Sequence, residues 1–168
     1  MTLFIERLPL HFWTDNSRTP PVQYWSIRLP VFVTESGMSA PLPNAVPQEW
    51  VLDTANTGDA LAWRYHLLAA GLDPDVGRVG RVRIRSAIGT PKPIVPIRSG
   101  DLWLFSNMPA LAATPFKLEL DPGIPFRDVK AVPDPQLDRP LIGIRAVRRA
   151  RLKIELDFSS DTVSVWTP

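Results

Sequence analysis

Proline constrains this chain more than any other residue type, with nineteen among 168 residues against nine glycines. A proline ring holds φ at about −65°, removes the backbone N–H and breaks a helix interior, and in a sheet it is confined to edges, strand starts and bulges. The chain is therefore expected to fold as short, interrupted elements joined by stiff connections, which favours strands over long helices. At 45% hydrophobic residues it is long enough to bury one core and short for two.

Alternation of apolar and polar residues marks the strands. Trp25, Ile27, Leu29, Val31 and Val33 alternate with Ser26, Arg28, Pro30, Phe32 and Thr34, and Pro30 signals an edge or a bulge. Arg81, Arg83 and Arg85 alternate with Val82 and Ile84, a strand whose charged face is read as solvated. Apolar runs follow at Ile94 to Ile97 and Leu102 to Phe105, then Phe116, Leu118 and Leu120 before the Asp121-Pro122-Gly123 turn. Leu152, Ile154, Leu156 and Phe158 lead through Ser159-Ser160-Asp161 into Val163 and Val165, a terminal hairpin. Leu61 to Ala70 is read as a short helix with Leu61, Leu68 and Tyr65 inward and Gly71 ending it. Asp15 to Pro21 breaks regular structure, so residues 1–22 are read as an extension preceding a domain of residues 23–168. Short strands with two short helices predict an all-β fold, a closed antiparallel barrel or a sandwich.

The chemical centre is read between Val51 and Leu61, where an apolar strand runs straight into Asp53, Thr54 and Ala55. A carboxylate at the end of a buried strand is costly to ionise unless donors or a partner charge receive it. The other acidic residues followed by Ser or Thr, Glu35 and Asp161, lack the apolar strand before and the small-residue turn after.

Asp53-Thr54-Ala55 resembles the Asp-Thr/Ser-Gly signature of aspartic proteases, and the fuller run resembles bacterial retropepsin-like members, with Ala55 where that family usually has glycine. Far along the chain, Arg139-Pro140-Leu141-Ile142-Gly143 and the short helix from Ile144 to Ala150 resemble the family's apolar-apolar-Gly motif and the short helix after it. Ile144 intervenes before Arg145, so the role of the arginine that often follows this glycine is not carried over. The resemblance runs from Gln23 to Pro168 and implies a closed antiparallel barrel of the retropepsin type. It implies Asp53 as the catalytic residue, Thr54 as a hydroxyl cross-link between two active-site loops, and a flap hairpin with Ile88, Gly89 and Thr90 at its tip. Aspartic proteolysis uses two carboxylates sharing one proton, and this chain carries one such motif, so a homodimer acting on peptide or protein substrates is expected. The alternative is an inactive dimerisation or peptide-binding module, with Ala55 marking lost activity.

Other classes are set aside on composition. The chain has no cysteine, which excludes disulfides and thiolate chemistry, and its two histidines, His11 and His66, fit neither a metal-binding His-Glu-x-x-His pattern nor a serine triad. No metal or cofactor is expected. A formal charge of +2 gives no strong pull toward nucleic acid, and the arginines near Arg81 and near Arg145 are read as solvated faces. No stretch approaches the roughly 18 apolar residues of a membrane span. A cytoplasmic protein with no membrane partner is expected.

Overall fold

The chain is mostly β in a computed structural model, which describes residues 1–56, 58–84 and 93–168. Its elements in order are β1 (Thr2–Pro9), β2 (His11–Asp15), β3 (Val22–Ser26), β4 (Arg28–Thr34), β5 (Gln48–Asp53), β6 (Ala60–Trp63), α1 (Arg64–Ala69), β7 (Arg78–Arg83) and β8 (Ile94–Arg98). There follow β9 (Asp101–Leu104), a 3-10 turn (Pro109–Leu111), β10 (Phe116–Leu118), β11 (Ile124–Arg127), β12 (Leu141–Gly143), α2 (Ile144–Arg149), β13 (Lys153–Asp157) and β14 (Thr162–Thr167). Among the described residues no helix is long and apolar enough to cross a membrane.

Nine strands form one sheet in the order β10-β9-β4-β5-β12-β6-β11-β8-β7. Two of its pairs, β5 with β12 and β6 with β11, are parallel. This differs from the expected closed antiparallel barrel: among the described residues no ladder joins the edge strands β10 and β7. The core is enclosed by a second sheet, β1-β14-β13, whose Ile5, Val163 and Val165 pack into one cluster with Leu29, Trp50, Leu104 and Phe126. Full burial of a side chain of this size is worth roughly 1.5–3 kcal/mol relative to exposure, so this cluster supplies the main driving force.

Residues 1–22 are part of that packing. β1 pairs antiparallel with β14, and Phe4, Ile5 and Leu10 are buried. The stretch from Trp25 to Thr34 breaks into two strands at Ile27. β3 pairs with β2 in a separate two-stranded ribbon, whereas β4 enters the large sheet between β9 and β5. Pro30 therefore sits inside a sheet, at the point where β4 changes partner: residues 28–31 pair with β5, and residues 31–34 with β9. A residue at such a handover is spared part of the ladder, which accommodates its missing donor.

The segment read as a helix from Leu61 starts as strand. Ala60 to Trp63 are held between β12 and β11, and the helix begins only at Arg64. Pairing on both sides overrides local helix propensity. In consequence Leu67, not Leu68 or Tyr65, is the buried helical residue, while Gly71 ends the turn at φ +81° as expected.

His66 closes the start of α1, its Nδ1 accepting a hydrogen bond from Trp63 N at 3.2 Å. Burial, and after it the charge of Arg139, outweigh Asp138 and push the imidazole down to about 4. A histidine depressed in the folded state contributes stability that is complete above its ordinary pKa of 6.5 and is lost as pH falls toward 4. Chemical denaturation between pH 7 and pH 4 should accordingly show stability falling with acid more steeply for the wild type than for His66→Asn. Parallel curves would remove His66 as a source of the slope.

Candidate active site

β5 delivers Asp53. Its alternation sends Trp50 and Leu52 into the core and turns Val51 and Asp53 to the opposite face. The carboxylate is half-buried, and its Oδ1 accepts a hydrogen bond from the Ala55 N–H at 2.9 Å, while Asn56 N donates to Asp53 O at 3.2 Å. The result is a tight turn that points the carboxylate out of the sheet, with its own backbone as donor. Among the described residues Asp53 has no ion pair and the Thr54 hydroxyl no partner. Thr54 and Ala55 are exposed. Ala55 is not among the residues with positive φ, so the turn is open to a residue with a Cβ.

Asn56, Gly58 and Asp59, after the Asp53 turn, lie over the end of β12. That strand lies between β5 and β6, placing Leu141 beside Val51, Ile142 beside Leu52 and Gly143 beside Asp53. Gly143 N donates to Asp59 O at 2.9 Å, Ile144 N to Asn56 O at 3.0 Å and Arg145 N to Gly58 O at 3.3 Å. Amides at the start of α2, which have no partner within a helix, are thus satisfied by the Asp53 loop. The approach leaves no room for a side chain: a Cβ on Gly143 would collide with the Gly58 carbonyl and lie 2.9 Å from Asn56 O.

Asp59 is a site residue that sequence pattern does not reveal. Its side chain is only 4% exposed, and Oδ2 accepts from Arg149 at 3.0 Å and from Asp121 N at 3.1 Å. Arg145 Nε stands 3.6 Å from Oδ1, too long for a hydrogen bond but close enough for attraction. The two arginines, read from the sequence as solvated, are four residues apart on one helix face, and that spacing was the available signal.

β7 and β8 pair antiparallel beyond the loop, in register from Gly80 opposite Ile97 to Arg83 opposite Ile94, with a register shift between Gly80 and the Arg78–Arg98 pair. Every residue of β7 is exposed, so this arm stands away from the core. Its base is pinned: Arg78 and Arg64 both pair with Asp75 and Asp128. Arg98, 2% exposed, donates to Asp73 O at 2.8 Å and pairs with Glu35 at 2.5 Å. The flap-tip residues Ile88, Gly89 and Thr90 lie outside the described residues. A cavity of about 220 Å³ opens between the β7–β8 pair and the loop, lined by Asn56, Gly58 and Asp59 on one side and Val82, Arg83 and Ile84 on the other. Asp53 itself is not among its lining residues. Among the described residues no cluster of histidine and acidic side chains could hold a metal ion.

Comparison with protein-family models, curated proteins and solved structures finds no match for this chain.

Two substitutions test the crossing. Gly143→Ala should destabilise the fold by about 3 kcal/mol, the upper end for an overpacked interior, because backbone and not a flexible side chain must yield. Arg149→Met should cost roughly 3–5 kcal/mol by leaving the Asp59 charge buried with one distant arginine. Both are read by urea unfolding, and a change within about 0.5 kcal/mol would show that the crossing relaxes freely.

Proposed function

We propose that this protein is a retropepsin-like aspartic endopeptidase that works as a homodimer, hydrolysing peptide bonds with a water held between two Asp53 carboxylates. The observation that carries this reading is the half-site. Among the described residues the Ala55 N–H is the one donor to the half-buried Asp53 carboxylate, and Thr54 beside it is exposed.

The geometry of the surroundings supports it. The Leu141-Ile142-Gly143 strand runs parallel to the Asp53 strand and under its loop, which fixes the height of the carboxylate. The β7–β8 pair leaves a cavity between its exposed arm and the same loop, where an extended peptide could lie. Paired across a twofold axis, two Asp53 side chains would share one proton, because like charges at that separation cannot both ionise. The ionised member takes a proton from water as it attacks the scissile carbonyl carbon; the protonated member donates to the carbonyl oxygen. Collapse of the tetrahedral species returns a proton to the leaving nitrogen. Ala55 retains the N–H that holds Asp53, so its methyl group does not remove the donor this chemistry requires.

Peptide cleavage should follow a bell-shaped pH profile on the acidic side of neutrality and be indifferent to chelators, since the pair titrates in two separated steps. Asp53→Asn should abolish turnover while leaving self-association intact, and Ala55→Gly should keep or raise activity. A rate that climbs steadily into alkaline pH, or turnover retained in Asp53→Asn, would reject the dyad and leave a binding module.

A further inference from the structure

The β2–β3 ribbon has two faces. Its inner face carries Trp13 and Tyr24, stacked with centroids 5.2 Å apart, together with His11 and Ser26, all partly buried. Its outer face carries two cross-strand pairs, Phe12 with Trp25 and Thr14 with Gln23. Phe12 is 38% exposed and Trp25 45%. Phe158, from the turn after β13 and 59% exposed, packs edge-on against Trp25 at 5.4 Å. Three large aromatic rings thus form one outward patch where two separate sheets meet. A contiguous exposed aromatic surface of this kind marks an interaction site.

The position of this patch selects its occupant. Ile27, which joins β3 to β4, accepts a hydrogen bond from Leu52 N at 2.9 Å, so the root of the ribbon lies beside the residue preceding Asp53. Trp25 is two residues from Ile27, at most about 7.6 Å along the backbone. Asp53 supplies half of a dyad, and any twofold axis that completes it passes next to the Asp53–Thr54 turn and close to this ribbon. The face itself suits self-association: Phe12, Thr14, Gln23 and Trp25 carry no charge, so a copy of the same surface meets it without like-charge repulsion. Homodimer interfaces are also the most apolar class, with aromatic anchors at their centres.

We propose that the outer face of the β2–β3 ribbon, Phe12 and Trp25 with Phe158 beside them, docks a second copy of this chain and thereby sets the approach of the two Asp53 loops. The inference rests on the half-dyad reading, and its test is kept separate from catalysis. In sedimentation equilibrium, Phe12→Ser/Trp25→Ser should weaken self-association on the order of 100-fold, the loss expected of two central aromatic anchors. Its far-ultraviolet circular dichroism should still show a folded β protein, since both positions lie on the exposed face of the ribbon.

The absence of cysteine allows a second readout that needs no disruptive variant. Thr14→Cys and Gln23→Cys, exposed on the same outer face but outside the aromatic anchors, should give a covalent dimer with a short bis-maleimide. Val46→Cys should not, because that exposed residue lies in the loop before β5, whose other end carries Asp53. A wild-type dimer whose affinity is untouched by Phe12→Ser/Trp25→Ser, or cross-linking equal at Val46, would overturn the proposed surface and leave the peptidase reading standing. Cross-linking at Thr14 and Gln23 with peptidase activity retained in Asp53→Asn would uphold the surface and reject the dyad. A wild type that stays monomeric but cosediments with phosphatidylcholine vesicles would overturn the surface in favour of a lipid occupant.

Discussion

The close crossing of the Asp53 loop over the end of β12 governs how the surrounding elements are arranged. A three-residue strand inserted between β5 and β6 separates two strands that are only six residues apart in sequence and would otherwise pair as a hairpin. The loop between them must then bridge β12, and it does so by lending its carbonyls to the first amides of α2. One contact therefore satisfies a helix start, fixes the loop and sets the direction of the Asp53 side chain. Glycine at 143 is what lets backbone lie on backbone there.

Arginine has an internal structural role around this crossing. Arg149 holds the buried Asp59 under the loop, Arg98 is sealed below the base of the β7–β8 pair with Asp73 O and Glu35, and Arg64 with Arg78 ties Asp75 to Asp128. A guanidinium offers five donors in a planar fork, so it can gather backbone carbonyls and carboxylates from several segments at once. The exposed members of this set contribute little individually, whereas the buried pairs at Asp59 and Arg98 would be costly to break. In a chain without disulfides these pairs tie the long connections to the sheet. They also leave the β7 arm solvated while its base is rigid.

Strand faces were legible locally. The alternation of Phe116 and Leu118 and of Val163 and Val165 identified them, because a period of two is a property of the backbone itself, whereas in β4 Phe32 and Thr34 are buried as well as Leu29, Val31 and Val33. The turn after Asp53 was legible from its small residues, and the helix after Gly143 only through the resemblance of the Leu141-Ile142-Gly143 stretch to a family motif. Local pattern misleads where a segment's partner decides its state. Ala60 to Trp63 has helix-forming residues but lies between two strands, and Ile27 looks like the middle of a strand but marks a change of sheet. Asp59, Arg145 and Arg149 look like ordinary surface charges because their pairing joins α2 to a loop far back in the chain.

Sequence alone establishes that the chain is built from short strands and that one aspartate stands at the end of an apolar strand and is followed by a small-residue turn. Proline and alternation act within a few residues, so their consequences are visible there. It took tertiary structure to decide that the large sheet is mixed, with no ladder closing it among the described residues, that β12 threads between β5 and β6, and that residues 1–22 supply core side chains and the first strand of an aromatic ribbon. Those outcomes depend on which strands find each other. Strand pairing is settled by burial and backbone hydrogen bonding summed over the whole fold, and no local pattern records it.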